Sequence, residues 1–272
     1  MSRLQSPSPV SFGYGFENYP VKETYSAEDS AHLQNMLHEH KLLMFNLELD
    51  HTQFENFARQ VGELEIAQPV GFNPEGHPHI RLQSNTGNNG MDYAGEYWHS
   101  DGPWNTPPTK ATLLSCIQAP EQGGETLFID MEHVYNELPQ ELKQRIGALK
   151  GSYPLKQTYL DFMKKKNLPP KEEKLRELED IVHPLVKRHP VTGKRSLYLN
   201  EEWLKGIEGM DKEESDSLLK ELYAFVLQEK FVAKYKWQKH DLLIWDNNSL
   251  LHNGVRPDPA YPKITKRICI KG

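Results

Sequence analysis

The sequence predicts an α+β fold: one β-sandwich or barrel core with helices outside it. Three observations predict it. From Ile80 onward, short β-like runs recur between Gly and Pro punctuation. Charged segments with apolar residues at helical spacing precede these runs and separate the early from the late ones. The 272 residues show no repeat and no low-complexity tract beyond a Ser/Pro-flavoured start, which excludes solenoids and fibres.

In chain order, Ala27-Glu28-Asp29 gives an acidic first turn to a helix that carries Leu33, Met36 and Leu37 through residue 40. Leu42 to Phe45 reads as a short buried strand. Residues 52–61 place Phe54, Phe57 and Val61 three and four apart, a second amphipathic helix. Strands are predicted over 111–117, 126–129, 196–199, 231–237, 241–245 and 264–270, and helices over 131–149, 163–180 and 211–229. The whole chain reads as a single domain, with a helical lid insertion at about 150–215.

Composition narrows the function. Lys plus Arg is 32 against 38 for Asp plus Glu, a net charge of −6. That leaves no electrostatic case for nucleic acid or an anionic membrane as partner. Mean hydropathy is −0.71, and no apolar run approaches the ~18 residues of a membrane span. The N-terminal residues lack the apolar centre of a signal peptide. Cys116 and Cys269, both in β-like runs, read as buried core thiols. A cytoplasmic protein with a small-molecule partner is expected, and homo-oligomerisation stays open.

The most informative segment is Trp98-His99-Ser100-Asp101-Gly102-Pro103. In extended chain, residues two apart project to one face, so His99 and Asp101 can hold one metal ion. Alone, a His-x-Asp pair is as readily a structural hydrogen bond. A second block, Asp241 to Asn247, runs from an apolar strand into a polar turn and then to His252. Two His and one carboxylate on one face of a metal leave the opposite face open, the pattern of non-haem Fe(II) oxygenases. No His-Glu-x-x-His motif points to a zinc hydrolase. His38, His40, His77 and His79 read as surface residues.

These blocks resemble the Fe(II)/2-oxoglutarate-dependent oxygenases of the taurine dioxygenase (TauD/TfdA) type, in order from about Leu42 to Gly272. Further similar blocks are Pro107-Pro108, Gly123-Gly124-Glu125-Thr126, His189-Pro190-Val191-Thr192-Gly193 and Leu197-Tyr198-Leu199-Asn200, with Arg267 on the last strand. The resemblance implies a double-stranded β-helix, a jelly-roll core, with His99, Asp101 and His252 as iron ligands. It implies 2-oxoglutarate as cosubstrate, its far carboxylate meeting Arg267 and Thr126, and O2 as oxidant. Oxidative decarboxylation to succinate and CO2 would then be coupled to oxidation of a substrate C–H bond. Asp101 argues for hydroxylation or a desaturation variant, since halogenating members carry a small residue there.

Two departures concern the substrate. Lys271 stands four residues after Arg267, where sulfonate- and aryloxyacetate-oxidising members carry a second Arg; an ammonium neutralises an anion without giving fork geometry. Asn248 follows Asp246-Asn247, where the family often has Arg. Substrate contacts are sought at Asn88 and Tyr93 before the metal strand, at Trp104 after it, at Lys156 in the lid, and at Lys271. An amino acid or natural-product intermediate fits these side chains. Two alternatives stand beside this reading: a catalytically silent binding protein on the same fold, and an oxygenase of protein or carrier-tethered substrates.

Overall fold

Strand Asp241–Asp246 is buried on both faces, and its alternation sorts the core into layers. Leu242 and Ile244 pack with Leu33, Leu37, Phe54 and Phe57 of the helices Ala27–His40 and His51–Ala58. Leu243 and Trp245 face the other way, onto Phe128, Ala233, Tyr235 and Leu250. A computed structural model gives this architecture for residues 3–6, 12–68, 71–87, 90–92, 95–165 and 169–272, the side chains of Phe162 and Lys165 excepted.

The larger sheet runs in the order Tyr14–Gly15, Leu42–Asn46, Asp241–Asp246, Ala111–Gln118, Ile264–Ile270, Arg81–Ser84, Met91–Asp92. Its two outermost pairings are parallel and the rest antiparallel. The smaller sheet is antiparallel, in the order Leu4–Gln5, Val232–Tyr235, Thr126–Asp130, Leu250–Gly254. Chain-distant strands are neighbours in both, so the His99 and His252 segments meet only through the tertiary fold.

Most predicted elements fall where expected, and the departures have local causes. The helix predicted over 131–149 is two, Met131–Glu137 and Gln140–Ile146, because Pro139 has no N–H to donate and turns Leu138 out of the helical region. The predicted 163–180 helix is replaced by Leu155–Lys165 and Glu172–Glu177, with Pro169-Pro170 between them. Part of the N-terminal stretch read as a loose arm is tied down: Leu4 is buried and pairs with Tyr235.

The segment 150–215 carries strand as well as helix. Lys150–Tyr153, Ile181–Pro184 and Gly206–Ile207 form a three-stranded sheet, and Val186–Arg188 pairs with Arg195–Leu197. Tyr153, Leu185, Leu197, Leu199 and Ile207 lie in the same buried cluster as helix Lys212–Val226 and Ile129. Those side chains belong to the body of the protein. The helix Glu172–Glu177 is largely exposed, and Leu155–Lys165 partly so, with Leu155 and Thr158 buried.

A buried hydrogen bond between His189 and Asp246 fixes the turn that leads to His252. His189 Nε2 lies 2.8 Å from Asp246 Oδ2, which also accepts from Ser249 Oγ at 2.7 Å. Burial alone would raise the Asp246 carboxyl, but the His189 ring, Ser249 hydroxyl and Asn248 N–H outweigh it and hold it below its ordinary value. Because the folded pKa lies below the unfolded one, this stabilisation is complete above about pH 4 and is lost as pH falls through the folded value. Asp246→Asn is expected to cost about 3 kcal/mol at pH 7. Urea titrations should show the gap between variant and wild type closing towards pH 3; a gap independent of pH would contradict the assignment.

Candidate active site

His99 is held in extended chain by a two-residue bridge to the distal strand. Its N–H donates to the His252 carbonyl at 2.9 Å, and the His252 N–H returns a bond to the His99 carbonyl at 2.8 Å. This bridge joins two sequence segments 153 positions apart and sets the two imidazoles side by side, ring centroids 4.1 Å apart. Asp101, two residues on, falls on the same face. Its Oδ1 lies 3.7 Å from His99 Nε2 and its Oδ2 3.6 Å from His252 Nε2.

One ligand atom from each residue lies within 4.8 Å of the other two, the grouping among the described residues that could hold a metal ion. Ligand bonds of about 2.1 Å to a common centre suit these separations. The donor set, two imidazole nitrogens and one carboxylate, suits a first-row divalent metal and leaves coordination positions open. His252 Nδ1, the ring nitrogen other than the one facing Asp101, is buried and has no hydrogen-bond partner among the described residues.

Hydrogen bonds behind the ligands hold His99 and Asp101 in place. The His99 Nδ1–H donates to the Tyr97 carbonyl at 2.7 Å, leaving Nε2 with its lone pair towards the site. Thr112 Oγ1 donates to Asp101 Oδ2 at 2.6 Å and is itself bonded by Asn247 Nδ2 at 3.1 Å. Asn247 Oδ1 accepts from the Asp101 N–H at 3.2 Å and from Trp245 Nε1 at 3.1 Å. Burial pushes both imidazoles below their ordinary pKa, so they are neutral donors. Burial opposes ionisation of Asp101, but Arg267, His252 and His99 override it and hold the carboxyl well below the usual range.

Gly102 makes the turn after Asp101 with φ +60°, and a Cβ there would stand 2.8 Å from Thr109 Cβ. Both the left-handed backbone and the missing space require glycine. Gly102→Ala is expected to lose about 2 kcal/mol, read as a Tm lower by about 4–8 °C in a chain of this size. An unchanged Tm would show that the turn relaxes.

The remaining predicted residues sort by position. Thr126 is buried, accepts from Trp237 Nε1 at 2.9 Å, and lines a recess of about 50 Å³ together with the triad and Arg267. The resemblance puts Arg267 with Thr126 at the far carboxylate, but its guanidinium Nη2 is 2.6 Å from Asp101 Oδ1, at the triad. The cation on the Thr126 side is Lys263. It is fully buried, donates to the Gly124 carbonyl at 2.7 Å and stands 4.9 Å from the Trp237 ring. Thr265, Arg267 and Cys269 share one face of the last strand, while Ile268 and Ile270 turn to the helices; Lys263 precedes that strand.

Beyond the triad opens a cavity of about 530 Å³ lined by Glu65, His79, Arg81, Trp104, Arg267 and Lys271, among others. Trp104 is 45% exposed and packs on Trp203, centroids 4.9 Å apart. Lys271 is at the rim, ion-paired with Glu63 at 2.5 Å. Lys156 is exposed on its helix, away from both cavities. Asn88 and Tyr93 lie outside the described residues.

Three expectations are corrected. Cys269 is not a core thiol: it is half-buried on the cavity wall, its Sγ 3.0 Å from Arg267 Nη2, whereas Cys116 is buried as expected. His79 is not a plain surface residue, since Nδ1 is bonded to the Glu65 carbonyl at 2.9 Å and the ring lines the cavity. His38 and His77 are half-buried, against His189 and His51 respectively.

A fold of two facing sheets with an open His-Asp-His site between them defines a metal-dependent oxygenase of the non-haem type. Residues 6–269 match the taurine catabolism dioxygenase TauD, TfdA family, and the chain belongs to it. It is similar to the alpha-ketoglutarate-dependent 2,4-dichlorophenoxyacetate dioxygenase of Cupriavidus pinatubonensis, at 27% identity over 98% of this chain and 97% of that protein. An alpha-ketoglutarate-dependent sulfate ester dioxygenase of Pseudomonas putida is 27% identical over 88% of this chain and 80% of its own. Among solved structures, AAD-2 in complex with Mn(II) and N-oxalylglycine superimposes with a TM-score of 0.80 at 26% identity, covering 99% of this chain and 96% of that one. No described helix is long and apolar enough to cross a membrane.

Proposed function

We propose that this dioxygenase couples oxidative decarboxylation of 2-oxoglutarate, to succinate and CO2, with hydroxylation of a small organic molecule. The observation that carries it is the His99–Asp101–His252 grouping, which lines a recess of about 50 Å³; His99 and Asp101 also line a recess of about 100 Å³ that shares Arg81, Trp104 and Arg267 with the 530 Å³ cavity. Iron bound there supplies the O2 chemistry; the side chains supply orientation and exclusion of water. His99 Nε2, His252 Nε2 and one Asp101 oxygen hold Fe(II). Packing of the two sheets on one apolar layer supports a double-stranded β-helix as the core.

The cosubstrate occupies the recess between the triad and Thr126. A 2-oxo acid bound at a metal held by the triad would carry its far carboxylate three C–C bonds beyond its keto carbon, each about 1.5 Å. Arg267, already at Asp101, stands beside the chelating end, and Thr126 and Lys263 receive the far carboxylate. Trp237 excludes water from that end and orients Thr126 through its indole N–H. The helices Leu155–Lys165 and Glu172–Glu177 are the lid, a narrower one than the whole of 150–215. The two unpaired thiols suit a cytoplasmic setting.

Anaerobic addition of Fe(II) and 2-oxoglutarate should produce the weak visible charge-transfer band of the chelate. Aerobic addition should release succinate at a rate raised by substrate. A folded, metal-loaded protein without the band would overturn the triad; a band with no succinate from any small acid would favour the silent binding protein.

A further inference from the structure

Arg81 and Arg267 are register partners on neighbouring antiparallel strands, so two guanidiniums leave the sheet abreast on the face that looks into the site. Only one has its charge matched within reach. Arg267 pairs with Asp101 at 2.6 Å, whereas among the described residues no carboxylate forms an ion pair with Arg81. Arg81 Nη1 donates to the Gln68 carbonyl at 2.7 Å, and its Nε is buried without a hydrogen-bond partner. Burial and the neighbouring Arg267 pull its pKa down to about 10, which still leaves it charged at neutral pH.

Its place in the cavity system is as informative as its charge. Arg81 lines the large cavity and also a recess of about 100 Å³ that it shares with Tyr97, His99 and Asp101. Arg267 lines both as well, so a substrate on its way to the triad passes two cations, and Arg81 is the one without a carboxylate partner. Lys271, the sequence's candidate for this task, is engaged with Glu63 at the rim. Glu65 brings a carboxyl group to the same cavity, its Oε1 accepting from Thr109 Oγ1 at 2.6 Å while burial raises its pKa. A ligand with a second negative charge would meet that carboxylate.

We propose that Arg81 is the specificity-determining residue of this site: its fork binds the single anionic group of a carboxylate or sulfonate substrate, and Glu65 disfavours dianions. This rests on the proposed reading of the triad as the metal centre. A planar guanidinium with free N–H donors grips either oxyanion by paired bonds, which an ammonium cannot do. The exposed Trp104 wall fits an apolar or aromatic body behind that group.

The test uses Mn(II)-loaded protein with N-oxalylglycine in the cosubstrate position, and reads paramagnetic broadening of probe protons, with no turnover needed. Four probes share one ring: phenylacetate, phenylmethanesulfonate, neutral phenylacetamide and dianionic phenylmalonate. The wild type should bind the monoanions at least 10-fold more tightly than the amide, with phenylmalonate weaker than phenylacetate. Arg81→Gln should erase the preference over the amide, Arg81→Lys should retain part of it, and Glu65→Gln should bring phenylmalonate up. Equal broadening by amide and acids in the wild type, or by none of the four, overturns the proposal. So does an anion preference that survives in Arg81→Gln. Failure of the protein to bind Mn(II) at all overturns the metal-centre reading, and this proposal with it.

Discussion

Asp101→Ala protein is expected to lose Fe(II) affinity and 2-oxoglutarate turnover by at least about 100-fold, because removing even an outer-shell partner of a metal ligand costs 10–100-fold. Asp101 is the one anionic donor of the triad, and it is pre-ionised by its surroundings: Arg267 at 2.6 Å, the two imidazoles at 3.6 and 3.7 Å, and the Thr112 hydroxyl at 2.6 Å. The same residue carries structural weight. Its loss leaves the Arg267 guanidinium buried without its partner, a situation that costs about 3–5 kcal/mol. The metal-free variant should therefore melt below the metal-free wild type, while His99→Ala, which buries no orphan charge, should lose metal with a smaller fall in Tm. Calorimetric metal titration and thermal melts of all three proteins check this. An Asp101→Ala protein that binds Fe(II) as the wild type does would remove Asp101 from the ligand set.

Those residues were legible because the chemistry is local at one end and sharply patterned at the other. His99 and Asp101 sit two apart in extended chain, and His252 follows an apolar strand and polar turn; the two-residue bridge between them then does what spacing alone cannot show. Helix Ala27–His40 was equally readable, from its acidic first turn and the spacing of Leu33, Met36 and Leu37; the structure adds a reciprocal cap between Ser26 and Asp29. Other features depend on tertiary neighbours. Nothing in the sequence marks Lys263 or Lys266, yet both are buried, one against Gly124 and Trp237 and the other capped by the carbonyls of Leu49 and Asp50. Arg81 and Glu65 carried no motif at all. Their signal was a charge inside or beside a short apolar run, Ile80-Arg81-Leu82 and Leu64-Glu65-Ile66, and only the strand pairing with Ile264–Ile270 gives it meaning.

Positions just before and along that last strand yield the second large effect. Lys263 and Arg267 lie four residues apart, about 13 Å in extended chain, and their side chains are engaged at different places. Arg267 is spoken for by Asp101, while Lys263 stands beside Gly124 and the Trp237–Thr126 pair. Lys263→Met is therefore expected to weaken 2-oxoglutarate binding about 100-fold, the ~3 kcal/mol of a buried charge pair broken on one side, with Fe(II) affinity kept. The decisive comparison is with 2-oxopentanoate, which has the same chelating end and no far carboxylate. The wild type should prefer 2-oxoglutarate strongly, Lys263→Met should bind the two alike, and Arg267→Met should weaken both together. Titrations of the anaerobic Fe(II) protein by the visible band give all six constants. A preference that persists in Lys263→Met and vanishes in Arg267→Met would return the far carboxylate to Arg267, and would require its guanidinium to leave Asp101 when the cosubstrate enters.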